Sequence, residues 1–343
     1  MSLCNFRANA NMCKLTELVI AALAVGSALA AESKPLERPE LRFGDPHGAA
    51  ITYRADRKDF IIEYAGHKTI YEPHTNVAVI VEATVKRQEP EHKYMYNYKV
   101  TVLPDSTQRL GWFAVAFEGH VEEIRAPEEW KSMAIRWTPA LTWSHYTKKP
   151  LRGLGPGEAL TNVGFSATSD YGTNQFKNKH TKGSVTMHHS GTLPGLVRCY
   201  ARGEAAPVTA ETEAAIPADL VFPGLLDDAV RGWTIGPVAL PEQTKAAMFV
   251  EQMISRLTGY LENAKAAGWL ETEEQTRRHR ERLTIALNGI RQGSREKTLG
   301  ALTAVLVNIE TEKKEGNLTD EAYALLKFNT EYLNDFVRTE PIE

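Results

Sequence analysis

Residues 94–102, YMYNYKVTV, decide the fold of the first part of this chain. Every second position carries an aromatic or β-branched side chain that favours a buried strand face: Tyr94, Tyr96, Tyr98, Val100 and Val102. On the other face, Asn97, Lys99 and Thr101 are polar. Because successive side chains of a strand point to opposite faces, this alternation predicts a β-strand with one face in a core and one in water.

Similar runs surround this strand and are separated by Gly, Pro and Asp turns. They occupy residues 49–55, 59–66, 76–83, 111–117, 120–124, 133–137, 163–168, 183–187 and 196–200. No helical pattern alternates with them, which argues against a parallel βαβ sheet and for an antiparallel sandwich or barrel. We expect a β-sandwich domain over residues 41–240, with a last strand at Trp233–Pro237.

The pattern changes at Pro241, since residues 242–340 contain no proline. Apolar side chains then recur at helical spacing in four stripes, the first three of which end at Gly268, Gly293 and Gly316. Thr272 and Thr319 are predicted N-caps. The chain is therefore predicted to be mainly β and then α, with a small bundle of about four helices over residues 241–340 that packs on the sandwich.

The first 31 residues have the composition of a signal peptide. An apolar run at residues 18–30 follows Lys14 and ends in small residues, and it is shorter than the roughly 20 apolar residues that span a bilayer. We expect cleavage near Ala30 or Ala31, an extracytoplasmic protein that is periplasmic or secreted, and no transmembrane anchor after cleavage. A buried N-terminal helix is the alternative, and either Met1 or Met12 can be the start.

Composition limits the class of function. The 343 residues are 43% hydrophobic and 24% charged, as in a globular protein, and the net charge of −3 argues against nucleic acid as a partner. Once a signal peptide is removed, Cys199 is the only cysteine, so no intramolecular disulfide can form. We interpret Cys199 as a small buried residue, with a reactive thiol as the alternative.

Each part also resembles a known group of proteins. The Tyr-rich strand, the run 113–117, the corner 126–130, the turn 154–157 and Gly164-Phe165 together resemble exported bacterial β-sandwich domains of unassigned function. That resemblance implies a sandwich fold and export.

The helical part has its own resemblance. Residues 253–257, 267–270, 283–287, 301–302 and 316–322 resemble the FIMAH and FIVAR helical accessory modules of secreted bacterial proteins. This implies an appendage that binds or spaces and does not catalyse.

Motifs for catalysis or metal binding are missing from the sequence. There is no His-Glu-x-x-His, cysteine pair, Gly-x-Ser-x-Gly or phosphate-binding loop. The adjacent His188 and His189 lie in a strand pattern, from which two neighbours cannot ligate one ion. We therefore expect no cofactor, no metal site and no catalytic residue.

Aromatic and basic loops are the best binding candidates. Trp143 and Tyr146 fall in a predicted loop over residues 138–162, and a second predicted loop over residues 175–182 carries Lys177, Lys179 and Lys182. Loops often carry function, and these residue types favour an anionic glycan or another cell-envelope polymer. The expected function is non-enzymatic binding at the cell surface or in the periplasm. A secreted hydrolase with a loop-assembled site and a structural spacer are the alternatives.

Overall fold

The computed structural model describes most of the chain after residue 39. The described residues are 40–44, 50–54, 56, 59–64, 67–71, 75–89, 93–135, 140–145, 153–168, 172–177, 184–189, 191–203, 229–241 and 245–341. The predicted signal peptide over residues 1–31 lies outside them. None of the described helices is long and apolar enough to cross a membrane.

The first four strands form an antiparallel meander of their own. They are β1 (Glu40–Gly44), β2 (Ala50–Arg54), β3 (Asp59–Tyr64) and β4 (His67–Tyr71), and they pair in chain order. The predicted opening hairpin is confirmed as β2 and β3, with Ala50 opposite Glu63 and Arg54 opposite Asp59. The outer strands β1 and β4 were not predicted, because neither is a long alternating run.

Nine of the next eleven strands form two larger antiparallel sheets. The strands are β5 (Val79–Gln88), β6 (Lys93–Val102), β7 (Leu110–Ala116), β8 (Val121–Arg125), β9 (Trp130–Ile135), β10 (Ala140–His145), β11 (Ala159–Thr168), β12 (Gly172–Lys177), β13 (Ser184–His189), β14 (Thr192–Gly203) and β15 (Val230–Ala239). One sheet has the order β15-β14-β7-β10-β9 and the other β5-β6-β11-β8. The hairpin of β12 and β13 forms a separate pair.

The tyrosine strand is confirmed as β6, and its predicted core face is buried. All five alternating residues from Tyr94 to Val102 are buried. Tyr98 lies within ring-contact distance of Phe113 on β7 and Trp143 on β10, with centroids 6.1 and 6.2 Å apart. The Tyr98 hydroxyl donates a hydrogen bond of 2.8 Å to the carbonyl of Ile235 on β15. Side chains of β6 therefore connect the two larger sheets.

Four helices follow the last strand. They are α1 (Ala246–Ala266), α2 (Glu273–Arg291), α3 (Arg295–Lys314) and α4 (Asp320–Thr339). The predicted ends are confirmed, because Gly268, Gly293 and Gly316 all adopt positive φ, which a glycine adopts without strain. The predicted caps are also confirmed: Thr272 and Gln275 form a reciprocal capping box, and the Thr319 hydroxyl accepts from the N–H of Ala322.

Helix α4 packs directly on the β part. The Glu321 carboxylate in its first turn accepts a 2.7 Å hydrogen bond from the Ala83 N–H on β5, an edge strand. The Asn329 amide donates to the carbonyl of Pro194 on β14 at 2.6 Å. The Phe328 ring lies 5.1 Å from that of Tyr94, and one continuous hydrophobic core includes residues of strands and helices. The predicted packing of the helices on the strands is confirmed.

Candidate functional site

Trp143, the first predicted contact residue, does not lie in a loop. It belongs to strand β10 and has 0% exposed surface. Its ring stacks on Phe113 at 5.8 Å and on Phe165 at 6.3 Å, and its indole N–H donates to the carbonyl of Arg125. The predicted loop placement of Trp143 is wrong because the short run of residues 140–145 pairs between β7 and β9 and fills the core.

The other predicted contact residues are only partly described. Tyr146, Lys179 and Lys182 lie outside the described residues. Lys177 ends strand β12, where it pairs with Ser184, so the predicted loop over residues 175–182 begins inside a strand. Of the predicted contact residues, only Trp143 therefore has a described side chain, and it lies in the core.

A different set of cationic and aromatic residues shares one face of the five-stranded sheet. The strand residues of this sheet include Lys131, Arg198, Arg202 and Arg231, and they include no Asp or Glu. Three of these cations are exposed, and Arg202 is half-buried. In a protein of net charge −3, one sheet thus carries positive charge alone.

The strand register places these residues on one face. Directly opposed residues of neighbouring strands project to the same side of a sheet. The opposed pairs are Arg198 with Trp233, Tyr200 with Arg231, Arg202 with Trp112, Trp112 with Ser144, and Ser144 with Lys131. The alternate residues, such as Cys199 and Ala201, are buried on the other side, as predicted for Cys199. We call the set Lys131, Arg198, Tyr200, Arg202, Arg231 and Trp233 the cationic face.

Arg198 and Trp233 form an exposed stacked pair on the cationic face. Trp233 is 46% exposed, and the guanidinium carbon of Arg198 lies 3.8 Å from the centroid of its ring. A cation stacked on an indole keeps its N–H groups directed around the ring edge, where they can meet an anion. Behind this pair, Trp112 is buried against Ala229 and the half-buried Tyr200.

Several charges of the other large sheet lie in ion pairs of opposite sign. Lys99 forms an ion pair of 2.7 Å with Glu82, and Lys93 one of 2.9 Å with Glu122. Pairing with Lys93 also holds the pKa of Glu122 below its ordinary value. The strands of the cationic face thus carry cationic side chains and no Asp or Glu, whereas the strands of the other large sheet carry side chains of both signs.

The sequence contains a signal for this face that loop-based reasoning missed. Arg198, Tyr200 and Arg202 alternate with the small residues Cys199 and Ala201, so a polar and cationic face is visible in one strand. The register with Arg231 and Trp233, across the 26 residues between the end of β14 and the start of β15, is not visible, since it depends on strand pairing.

Among the described residues, no group of three or more His, Cys, Asp or Glu side chains is arranged to hold a metal ion. His188 and His189 are successive residues of β13.

Comparison with models of protein families finds no match, and comparison with curated proteins finds none either. The resemblances to exported β-sandwich domains and to FIMAH and FIVAR modules therefore stay predictions.

Proposed function

We propose that this protein is an exported, non-enzymatic binding protein whose cationic face contacts an anionic polysaccharide of the cell envelope. The observation that carries the proposal is the exposed Arg198–Trp233 stack beside Arg231, on a sheet whose strands contain no carboxylate. Guanidinium groups bind carboxylate and phosphate oxygens in a bidentate manner, and an exposed indole offers a flat apolar surface to a sugar ring.

The spacing of the cations suits a linear polyanion. Arg198, Arg231 and Arg202 lie in three successive cross-strand rows of the five-stranded sheet, in which Arg198 pairs with Trp233, Arg231 with Tyr200, and Arg202 with Trp112. Rows on one face are two residues apart, which is about 6.8 Å along the strand. A polymer with repeated charges, aligned with the strands, can therefore meet several cations at once, and their weak individual contributions add.

The proposal also covers how the sheets and helices are arranged and where in the cell the protein acts. We take the two larger sheets as the layers of a β-sandwich and the four helices as a bundle that serves as an appendage, in line with the FIMAH and FIVAR resemblance. The run at residues 18–30 supports export. Binding then occurs in the periplasm or outside the cell, where envelope polymers are found. The hydrolase and spacer alternatives stay predictions.

A co-sedimentation assay on polygalacturonate, with neutral dextran as the reference polymer, tests this function. The double variant Arg198→Gln and Arg231→Gln is compared with Arg282→Gln and Arg295→Gln, which removes the same charge from exposed helical positions. We expect the first pair to weaken binding and to lower the slope of log affinity against log salt by roughly one per arginine. We also expect Trp233→Ala to weaken binding at all salt concentrations.

The matched pair makes the proposal refutable. Equal losses in the two double variants mean that only net charge matters, and the cationic face is then not the site. Absence of binding to the polyanion, or equal binding to dextran, contradicts the proposed function itself.

A further inference from the structure

A second surface is a cleft between strands and helices. Its strands, β5 and β6, belong to the four-stranded sheet and not to the sheet that carries the cationic face. The cleft has a volume of about 660 Å³, within the roughly 300–1,000 Å³ of small-molecule sites. Its floor is the outward face of β5 and β6, and its wall is made by the turn from α1 to α2 and the turn from α3 to α4. Such clefts between structural units are common places for ligand sites.

The wall of the cleft is held by hydrogen bonds between the two turns. Leu270 and Leu318 form an isolated β-bridge, and the Gln275 side-chain amide donates to the carbonyl of Asn317 at 3.1 Å. The turns begin at Gly268 and Gly316, whose φ angles are +73° and +79°. The wall is therefore preorganised, and binding a ligand there requires little ordering of the backbone.

The floor presents polar side-chain groups that form no hydrogen bond within the part of the chain that the structure describes. Thr84, Asn97 and Thr101 are half-buried, and their side chains form no hydrogen bond with any described residue. Thr84 lies opposite Asn97, and Thr101 lies opposite Ile80, so hydroxyl, amide and aliphatic surfaces alternate along the floor. These groups both donate and accept, which is what the hydroxyls of a sugar require.

The charges in the cleft exclude an anionic ligand. Lys99 is paired with Glu82 at 2.7 Å, and Lys313 with Asp320 at 2.5 Å. The exposed Glu271 adds a further carboxylate. Both lysines are thus neutralised and an acidic group remains, so the cleft repels phosphates and uronates and favours a neutral or amino-bearing ligand.

We propose that this cleft binds a short neutral or amino-bearing saccharide through Thr84, Asn97 and Thr101. The inference concerns a different surface and ligand charge from the cationic face, and it does not require polyanion binding. The site holds a ligand of disaccharide size, with the ion pairs of Lys99 and Lys313 at its rim.

Isothermal titration calorimetry on the full chain tests the proposal with three probes. They are N,N′-diacetylchitobiose, the glucosamine disaccharide and digalacturonate. We expect saturable binding of the first or second and none of the third. Thr84→Val and Asn97→Ala should each weaken binding by about fivefold, the loss expected for one hydrogen bond, whereas Thr161→Val on an exposed part of β11 should not.

Each outcome decides the question. Binding that is lost in the floor variants and kept in Thr161→Val supports the cleft, and so does unchanged disaccharide binding by Arg198→Gln and Arg231→Gln. Hydrogen exchange slowed by the disaccharide in residues 316–319 supports it in a second way, which does not depend on how a variant folds. No saccharide binding, binding of digalacturonate alone, or equal affinity in all variants overturns it.

Discussion

Two neighbouring tyrosines on β6 allow the link between the sheets to be tested by removing single oxygen atoms. Tyr96 and Tyr98 are both fully buried on the same face of the strand. The Tyr98 hydroxyl donates to the Ile235 carbonyl at 2.8 Å, whereas the Tyr96 hydroxyl has no hydrogen-bond partner among the described residues. Tyr98→Phe and Tyr96→Phe keep the ring and its packing, so each change isolates one hydroxyl.

The two substitutions should change stability in opposite directions. Tyr98→Phe leaves the buried Ile235 carbonyl without its donor, which costs about 1–3 kcal/mol. Tyr96→Phe removes a hydroxyl that is buried without compensation, and burial of such a group costs about 1–3 kcal/mol in protein mutants. We therefore expect Tyr98→Phe to be less stable than Tyr96→Phe by at least about 2 kcal/mol.

Urea unfolding followed by circular dichroism measures this difference. With an m-value of about 3 kcal/mol per molar urea, ~2 kcal/mol separates the two midpoints by roughly 0.7 M. The m-values should stay equal, because neither substitution changes the surface exposed on unfolding. Midpoints that coincide, or a Tyr96→Phe variant that is the less stable of the two, refute the assignment of the hydrogen bond between β6 and β15.

Three further predictions concern the helices and their contacts with the strands. Burial raises the pKa of Glu321 above its ordinary value of 4.5, against the opposing hydrogen bond from Ala83. The folded state then binds the extra proton, so the unfolding free energy falls as pH rises above about 4.5, and Glu321→Gln should gain stability over wild type between pH 4 and pH 7. A constant difference across that range in urea titrations contradicts this. Thr272→Ala should lower the unfolding free energy by about 1 kcal/mol because it breaks the capping box, whereas Ser294→Ala, at an N-cap without a side-chain bond, should change it by less than about 0.5 kcal/mol; equal thermal shifts are the contrary result. Asn329→Ala should cost about 1–3 kcal/mol, since the Pro194 carbonyl loses its donor, and faster hydrogen exchange in residues 192–197 should accompany it; unchanged exchange there argues against this contact.

Local patterns in the sequence account for the elements that depend on local physics. The period of two in residues 94–102 specifies both a strand and its buried face, because alternation allows only one face to enter a core. Helices α2 and α4 begin where predicted, at the N-caps Thr272 and Thr319, and helices α1, α2 and α3 end where predicted, at glycines with positive φ. These caps and glycines act on the helix ends through local backbone geometry. The order of the secondary structure along the chain, strands first and helices after them, was therefore determined by the sequence alone.

Strand pairing and helix placement were decided only by the tertiary structure. The sequence around Trp143 predicts a loop over residues 138–162. Trp143 is buried in the core because its strand, β10, pairs with β7 on one side and β9 on the other. Arg231 and Trp233 join Arg198 because of a register across distant segments, which no local pattern encodes. The cleft likewise exists because α4 packs on β5. Local preferences act over a few residues, whereas both candidate sites depend on contacts between segments far apart in the chain.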